Sequence, residues 1–269
     1  MTNAFCMSRK PAVAGLFYPC DPSELRRTVE GFLEAGRRMA SVSGQTPKAL
    51  IVPHAGYVYS GPIAGSGYAR IAAAADSISR VILLGPAHRV PFNGLALPGT
   101  TAFETPLGAV PVDVDAVSRI EGLPQVVSLP AAHAGEHSLE VHLPFLQVIL
   151  GRFSLLPLVI GRATAAQVAE VLEAVWGGDE TLIVVSTDLS HYQDYETARS
   201  QDAATSAAIE GLDETRIGFD DACGRVPLSG LLAAARARGL TARTVDLRNS
   251  GDTAGPRSQV VGYGAYVVG

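Results

Sequence analysis

The strongest constraint on this chain is an alternation of two patterns. Short runs of Val, Ile and Leu recur along it, with stretches of helical spacing between them. Ala49–Pro53 (ALIVP), Arg80–Gly85 (RVILLG), Leu155–Ile160 (LLPLVI) and Thr181–Ser186 (TLIVVS) read as buried strands closed by Gly, Pro or polar residues. Thr244–Arg248 and Gln259–Val268 read as two later strands, and Leu95–Leu97 and Val110–Val112 as short edge strands around a turn. The first helix is predicted to open at Asp21, with Pro22 at its first position and Glu24 as capping-box partner, and to run to Ala40. Further helices are predicted over Ser60–Ala74, Ala165–Trp176, Thr197–Gly211 and Pro227–Arg238. Leu139–Leu150 is also helical in pattern, with Pro144 either kinking it or sitting in its first turn. Strand–helix alternation implies an α/β fold, a mostly parallel central sheet with helices on both faces. No internal repeat or long linker interrupts the chain, and Ser41–Lys48 reads as a polar connection. Residues 1–269 are therefore expected to form a single domain.

Composition excludes several function classes. With 21 Lys and Arg against 26 Asp and Glu, the net charge of −5 argues against a nucleic-acid binder. Charged residues make up only 17%, which argues against disorder. The longest apolar stretch, Leu143 to Ile160, is broken by Gln147 and Arg152, whereas a membrane span needs about 20 largely uncharged residues. The first residues hold no apolar signal core, so a cytoplasmic location is expected. Cys6, Cys20 and Cys223 have no paired spacing and suggest no disulfide framework. Nucleotide binding has no support either: neither G-x-G-x-x-G nor G-x-x-x-x-G-K-[ST] occurs. Gly56, Gly61, Gly65 and Gly67 read instead as packing and turn glycines.

The six histidines carry the chemistry. His54, His88 and His191 each follow a predicted core strand, and Asp188 shares the turn with His191. A later strand runs into Asn249–Asp252 and delivers Asp252. Ligands bind at the carboxyl ends of strands in open parallel sheets. A single strand-end histidine is ordinarily a hydrogen-bonded residue, but three on separate strands form a common focus. Neutral imidazoles suit zinc, copper or iron, and two His with one carboxylate is the facial set of non-haem iron enzymes. Glu136, His137, Glu140 and His142 form a second concentration, without the H-E-x-x-H spacing of zinc peptidases. His137 reads equally as a helix cap or as an acid–base residue over the crevice, and His142 as structural. Tyr57 and Tyr59 are candidates to line the pocket, and Cys223 is expected to be a buried thiol rather than an activated one.

At these residues the chain resembles the Memo family, whose prokaryotic branch is also called AmmeMemoRadiSam system protein B. The resemblance lies in PAVAGLFYP (Pro11–Pro19), VPHAGYVYSGPIAG (Val52–Gly65), LLGPAHR (Leu83–Arg89), EHSLEVHLPFLQ (Glu136–Gln147), STDLSHY (Ser186–Tyr192), ACGRVP (Ala222–Pro227) and NSGD…VVGY (Asn249–Tyr263). It implies a fold similar to LigB-type class III extradiol dioxygenases, with pocket residues at His54, His88 and His191 and Asp188 beside them. Eukaryotic members carry a cysteine in the last motif, whose nearest equivalent here is Asp252. The expectation is a metal-binding protein and metal-dependent oxidoreductase. His54, His88 and Asp252 would be ligands to iron, with copper or zinc as alternatives. His191, oriented by Asp188, would be the acid–base residue, with His137 also catalytic and Tyr57 and Glu140 in the pocket. The alternatives are a binding module, for a peptide or a partner such as a radical-SAM protein, and a metal-dependent hydrolase.

Overall fold

The computed structural model describes residues 8–39 and 46–269, so Cys6 and the expected helix end at Ala40 lie outside the described residues. Its strands are β1 (Ser8–Arg9), β2 (Ala49–Val52), β3 (Arg80–Pro86), β4 (Leu95–Leu97), β5 (Ala102–Thr105), β6 (Gly108–Pro111), β7 (Val126–Ser128), β8 (Ser154–Ile160), β9 (Thr181–Ser186), β10 (His191–Gln193), β11 (Ala242–Asn249) and β12 (Val260–Val268). Its helices are α1 (Pro22–Arg38), α2 (Tyr57–Tyr68), α3 (Val114–Ile120), α4 (Pro130–Ala134), α5 (Leu143–Leu150), α6 (Ala165–Val175), α7 (Tyr195–Glu210) and α8 (Arg225–Ala237).

The fold is α/β, with a large sheet flanked by helices. Nine strands form it in the order β10-β12-β2-β9-β3-β8-β4-β7, with β11 on β12. The centre, β2-β9-β3-β8, is parallel, while β12 and β4 run antiparallel on either side. The sheet is therefore mixed, parallel through the four apolar runs that predicted it and again between β4 and β7 at its edge. The expected pairing of Leu95–Leu97 with Val110–Val112 does not form: β4 joins the main sheet, and β6 belongs to a small sheet β1-β5-β6.

Continuous apolar runs are what a strand covered on both faces requires. In β3, Val81 and Leu83 face a core built with α1, α2 and α5, whereas Ile82 and Leu84 face a second core built with α6 and α8. The period of two is thus hidden in sequence because both faces are buried. Capping fixes several helix starts. Asp21 accepts from the Glu24 N–H, and Thr164 with Gln167 forms a full capping box on α6. Pro144 lies in the first turn of α5, where it costs no hydrogen bond. The glycines of α2 permit close helix packing: a Cβ at Gly65 would lie 2.7 Å from the Phe32 carbonyl oxygen of α1. No described helix is long and apolar enough to cross a membrane.

Candidate metal centre

The parallel strands deliver their carboxyl ends to one edge of the sheet. β2 leads to His54, β3 to His88, and β9 to Asp188 and His191. The rings of His54 and His88 lie 5.1 Å apart, and His137 stacks on His88 at 4.8 Å. His54, His88 and Cys223 each offer one ligand atom, and these atoms lie within 4.8 Å of one another. A second group of the same kind is His88, Glu136 and His137.

Hydrogen bonds behind the rings fix which nitrogen faces the site. The Ser186 hydroxyl donates to the Ser138 carbonyl at 2.6 Å. Its oxygen is then left to accept from His54 Nδ1–H, also at 2.6 Å. This tautomer turns the Nε2 lone pair of His54 toward Cys223 Sγ, 3.4 Å away. Burial, and then the neighbouring imidazoles, hold His54 well below the usual histidine pKa, so the ring is neutral. Glu136 performs the same service for His88. Burial works to raise this carboxyl, but bonds from the His88 ring and from backbone N–H groups outweigh it and hold the pKa at about 2. The carboxylate accepts from His88 Nδ1 at 2.9 Å and from the His88 N–H at 2.7 Å. It also accepts from the N–H groups of His137 and Ser138. A carboxylate behind an imidazole is the usual backing of a metal-ligating histidine.

Cys223, expected as a buried rather than an activated thiol, is half-buried and stands in this cluster. It precedes α8, whose packing against β3 and β9 carries it to the strand ends. Gly224 makes the approach feasible, since a Cβ there would lie 2.4 Å from the Ser186 carbonyl oxygen. The sulfur accepts from the Asp188 N–H at 3.3 Å. Burial, followed by the nearby Asp188 carboxylate, pushes the thiol up to about 12. A cation beside the sulfur would reverse that shift, because a coordinated thiol is deprotonated outright.

Several expected residues take other positions. Asp252 does not join the cluster. Its carboxylate accepts from the Asn249 N–H, 3.0 Å away, and from the Tyr195 hydroxyl, closing the turn after β11. Cys223 stands where Asp252 was expected. Asp188 does not orient His191: it accepts from the His54 N–H at 2.8 Å, and its Oδ2 lies 4.0 Å from His54 Nε2. Burial pushes Asp188 up to about 7, with the His54 N–H opposing. His191 instead hydrogen-bonds the Leu189 backbone, and burial lowers its pKa. It sits at a bulge between β10 and β12, beside Tyr192, whose φ of 59° is rare for a side chain of this size. Tyr57 is buried, with its hydroxyl on the Val141 carbonyl, and Tyr59 lines the cavity in its place. Glu140 is wholly buried away from the cavity, in an ion pair with Arg9. It also accepts from Tyr18 Oη and the N–H groups of Ala12 and Val13. His142 is buried as well, as its structural reading expected.

A cavity of about 660 Å³ opens over the cluster, lined by His54, His88, His137, His191 and Cys223 and by Phe17, Tyr59, Tyr192 and Tyr263. The Memo-like protein family model matches residues 9–267 of the chain. The chain belongs to this family. It is 38% identical to a MEMO1 family protein of Aquifex aeolicus over 95% of this chain and 97% of that one. It is 35% identical to a MEMO1 family protein of Methanothermobacter thermautotrophicus, over 96% and 99%. The crystal structure of an uncharacterized protein from Escherichia coli K12 covers 81% of this chain and 99% of its own, with 13% identity and a TM-score of 0.48.

Proposed function

We propose that this Memo-like protein binds one redox-active metal ion, iron or copper, through His54, His88 and Cys223, and uses it to oxidise a small molecule held in the cavity. The observation that supports this reading is the convergence of two imidazoles and a thiol, whose ligand atoms lie within 4.8 Å of one another while Nδ1 of each ring is held from behind. Imidazole and thiolate together suit copper, zinc and iron more than magnesium or calcium. Bound there, the metal would polarise the substrate and supply one-electron chemistry.

The rest of the work falls to the protein's own side chains. Glu136 and Ser186 hold the two imidazoles in their ligating tautomers. His191, kept neutral by burial, faces the cavity and can take a proton from a bound hydroxyl group. His137 is pulled down to about 4, chiefly by burial, and supplies a second neutral imidazole, stacked on His88. Phe17, Tyr263 and Val261 give the cavity an apolar wall. The open cavity over the cluster leaves room for a substrate, which favours catalysis over a purely structural metal.

The test is elemental analysis of untagged protein purified without added metal, aerobically and anaerobically. The reading predicts near-stoichiometric iron or copper that is lost in the His54→Ala/His88→Ala variant. Zinc in place of both would move metal-assisted hydrolysis ahead. No metal, and no uptake on titration, would overturn the assignment.

A further inference from the structure

A second cavity, of about 430 Å³, meets the first at His88, His191 and Cys223. The two differ in character. The larger is walled by rings: Phe17, Tyr59, Tyr192 and Tyr263. The smaller is lined by Arg225, Gln193 and Asp220, with Phe219 beside them. Arg225 is the only lysine or arginine among the described residues lining either cavity. Arg225 is half-buried, its guanidinium lies 5.8 Å over the Phe219 ring, and it has no side-chain ion pair or hydrogen bond among the described residues. Most arginines at comparable depth here are committed: Arg9 to Glu140, Arg80 to Asp113, Arg248 to Asp246. Arg225 keeps its planar set of donors free, facing a cavity that opens onto the metal centre.

We infer that the substrate is an aryl carboxylate that spans both cavities, its ring against the tyrosines and its carboxylate on Arg225. The ring lobe favours a flat apolar body, since aromatic walls gain most from stacked or edge contacts. The guanidinium fork matches a carboxylate in two parallel hydrogen bonds. The charge count favours a single negative charge: the smaller cavity is lined by one free arginine, Arg225, and by the exposed Asp220, so a phosphate dianion would meet a carboxylate with only one cation to offset it. Held this way, the middle of the molecule lies beside His88, His191 and Cys223. The inference rests on the proposed function for the reacting part of the substrate, whereas the recognition by Arg225 stands on the cavity alone.

The test is a binding measurement. 4-Hydroxybenzoate and 4-phenylbenzoate are compared with their uncharged amides and with phenyl phosphate, by equilibrium dialysis against the full-length protein as isolated and after chelation. Each acid is expected to bind about tenfold or more tightly than its amide, the scale of a charge-assisted hydrogen bond over a neutral one. Arg225→Gln is expected to abolish that preference, the acids losing far more affinity than the amides. Arg225→Lys, which keeps the charge and the helix but loses the fork, is expected to retain part of it. Acids no tighter than amides, an equal loss of both in Arg225→Gln, or a preference for phenyl phosphate would each overturn the inference. Acid preference that persists in metal-free protein supports Arg225 recognition even if the metal assignment fails. Metal content measured on the same samples keeps the two failures apart.

Discussion

Glu136 and Glu140 lie four residues apart, and both are buried carboxylates. They do different work. Glu140 takes its donors from the N-terminal segment: Arg9, the N–H groups of Ala12 and Val13, and Tyr18 Oη. It ties that segment, which carries Phe17 to the cavity wall, onto the body of the protein. Glu136 takes its donors from the site: the His88 ring and backbone and the N–H groups of His137 and Ser138. The same residue type, at nearly the same depth, builds fold in one place and sets the direction of a lone pair in the other. What distinguishes them is where their donors come from, which is a tertiary property.

Replacing each carboxylate should separate the two roles. Glu140→Ala strands the buried Arg9 guanidinium, and losing one partner of a buried ion pair costs about 3–5 kcal/mol. Its effect is expected in the denaturant midpoint, with metal content per folded molecule unchanged. A loss of metal without a loss of stability would erase the distinction.

Acid should sharpen it. Burial lowers His133 to about 4 and His142 to about 3, so both are neutral in the folded state and gain protons more readily when unfolded. Because these folded values lie below the ordinary 6.5, the stabilisation is complete above that pH and is lost as the pH falls toward 4 and then 3. Glu136, depressed from 4.5 to about 2, contributes fully above 4.5 and loses its contribution only as the pH falls toward 2. Metal-free protein is therefore expected to lose stability between pH 6.5 and 4.5, while the Glu136–His88 bond persists. Thermal melts with NMR of the His88 ring would check this. Loss of the His88 bond ahead of the stability change would contradict the order.

Glu136→Gln keeps the shape of the site and removes the charge behind His88. Metal affinity is expected to fall about 10–100-fold, the range for such supporting residues, with a smaller change in stability than Glu140→Ala gives. Competition with a chelator reads it directly. The smallest effect is expected from Asp252→Ala: about 1 kcal/mol for a lost turn cap, and no change in metal affinity. A drop in affinity there would restore Asp252 as a ligand.

The histidine half of the site was legible in the sequence because strand ends are legible. Apolar runs end visibly, and in a parallel sheet their carboxyl ends converge. His54, His88 and His191 could be placed on that ground. Cys223 could not, since it enters from the start of α8 and reaches the strand ends only through helix packing. The one local signal was Gly224 beside it, a residue without a Cβ at a point of close approach. Asp252 misled for the converse reason. β11 runs parallel to β2 and ends at the same edge of the sheet, but its final turn uses the Asp252 carboxylate to cap itself. Tyr57 and Tyr59 show the limit on a helix, where residues two apart point to different sides. The central strands were predicted nearly to the residue, whereas the antiparallel flanks and the small sheet depend on pairings that short segments do not announce.

The measurement that bears most directly on the central claim is the metal content of Cys223→Ala beside that of Asp252→Ala, both purified without added metal alongside the unaltered protein. The account predicts that the Cys223 variant loses its metal and that the Asp252 variant keeps it. Metal retained without Cys223, or lost with Asp252, would contradict the His54–His88–Cys223 centre.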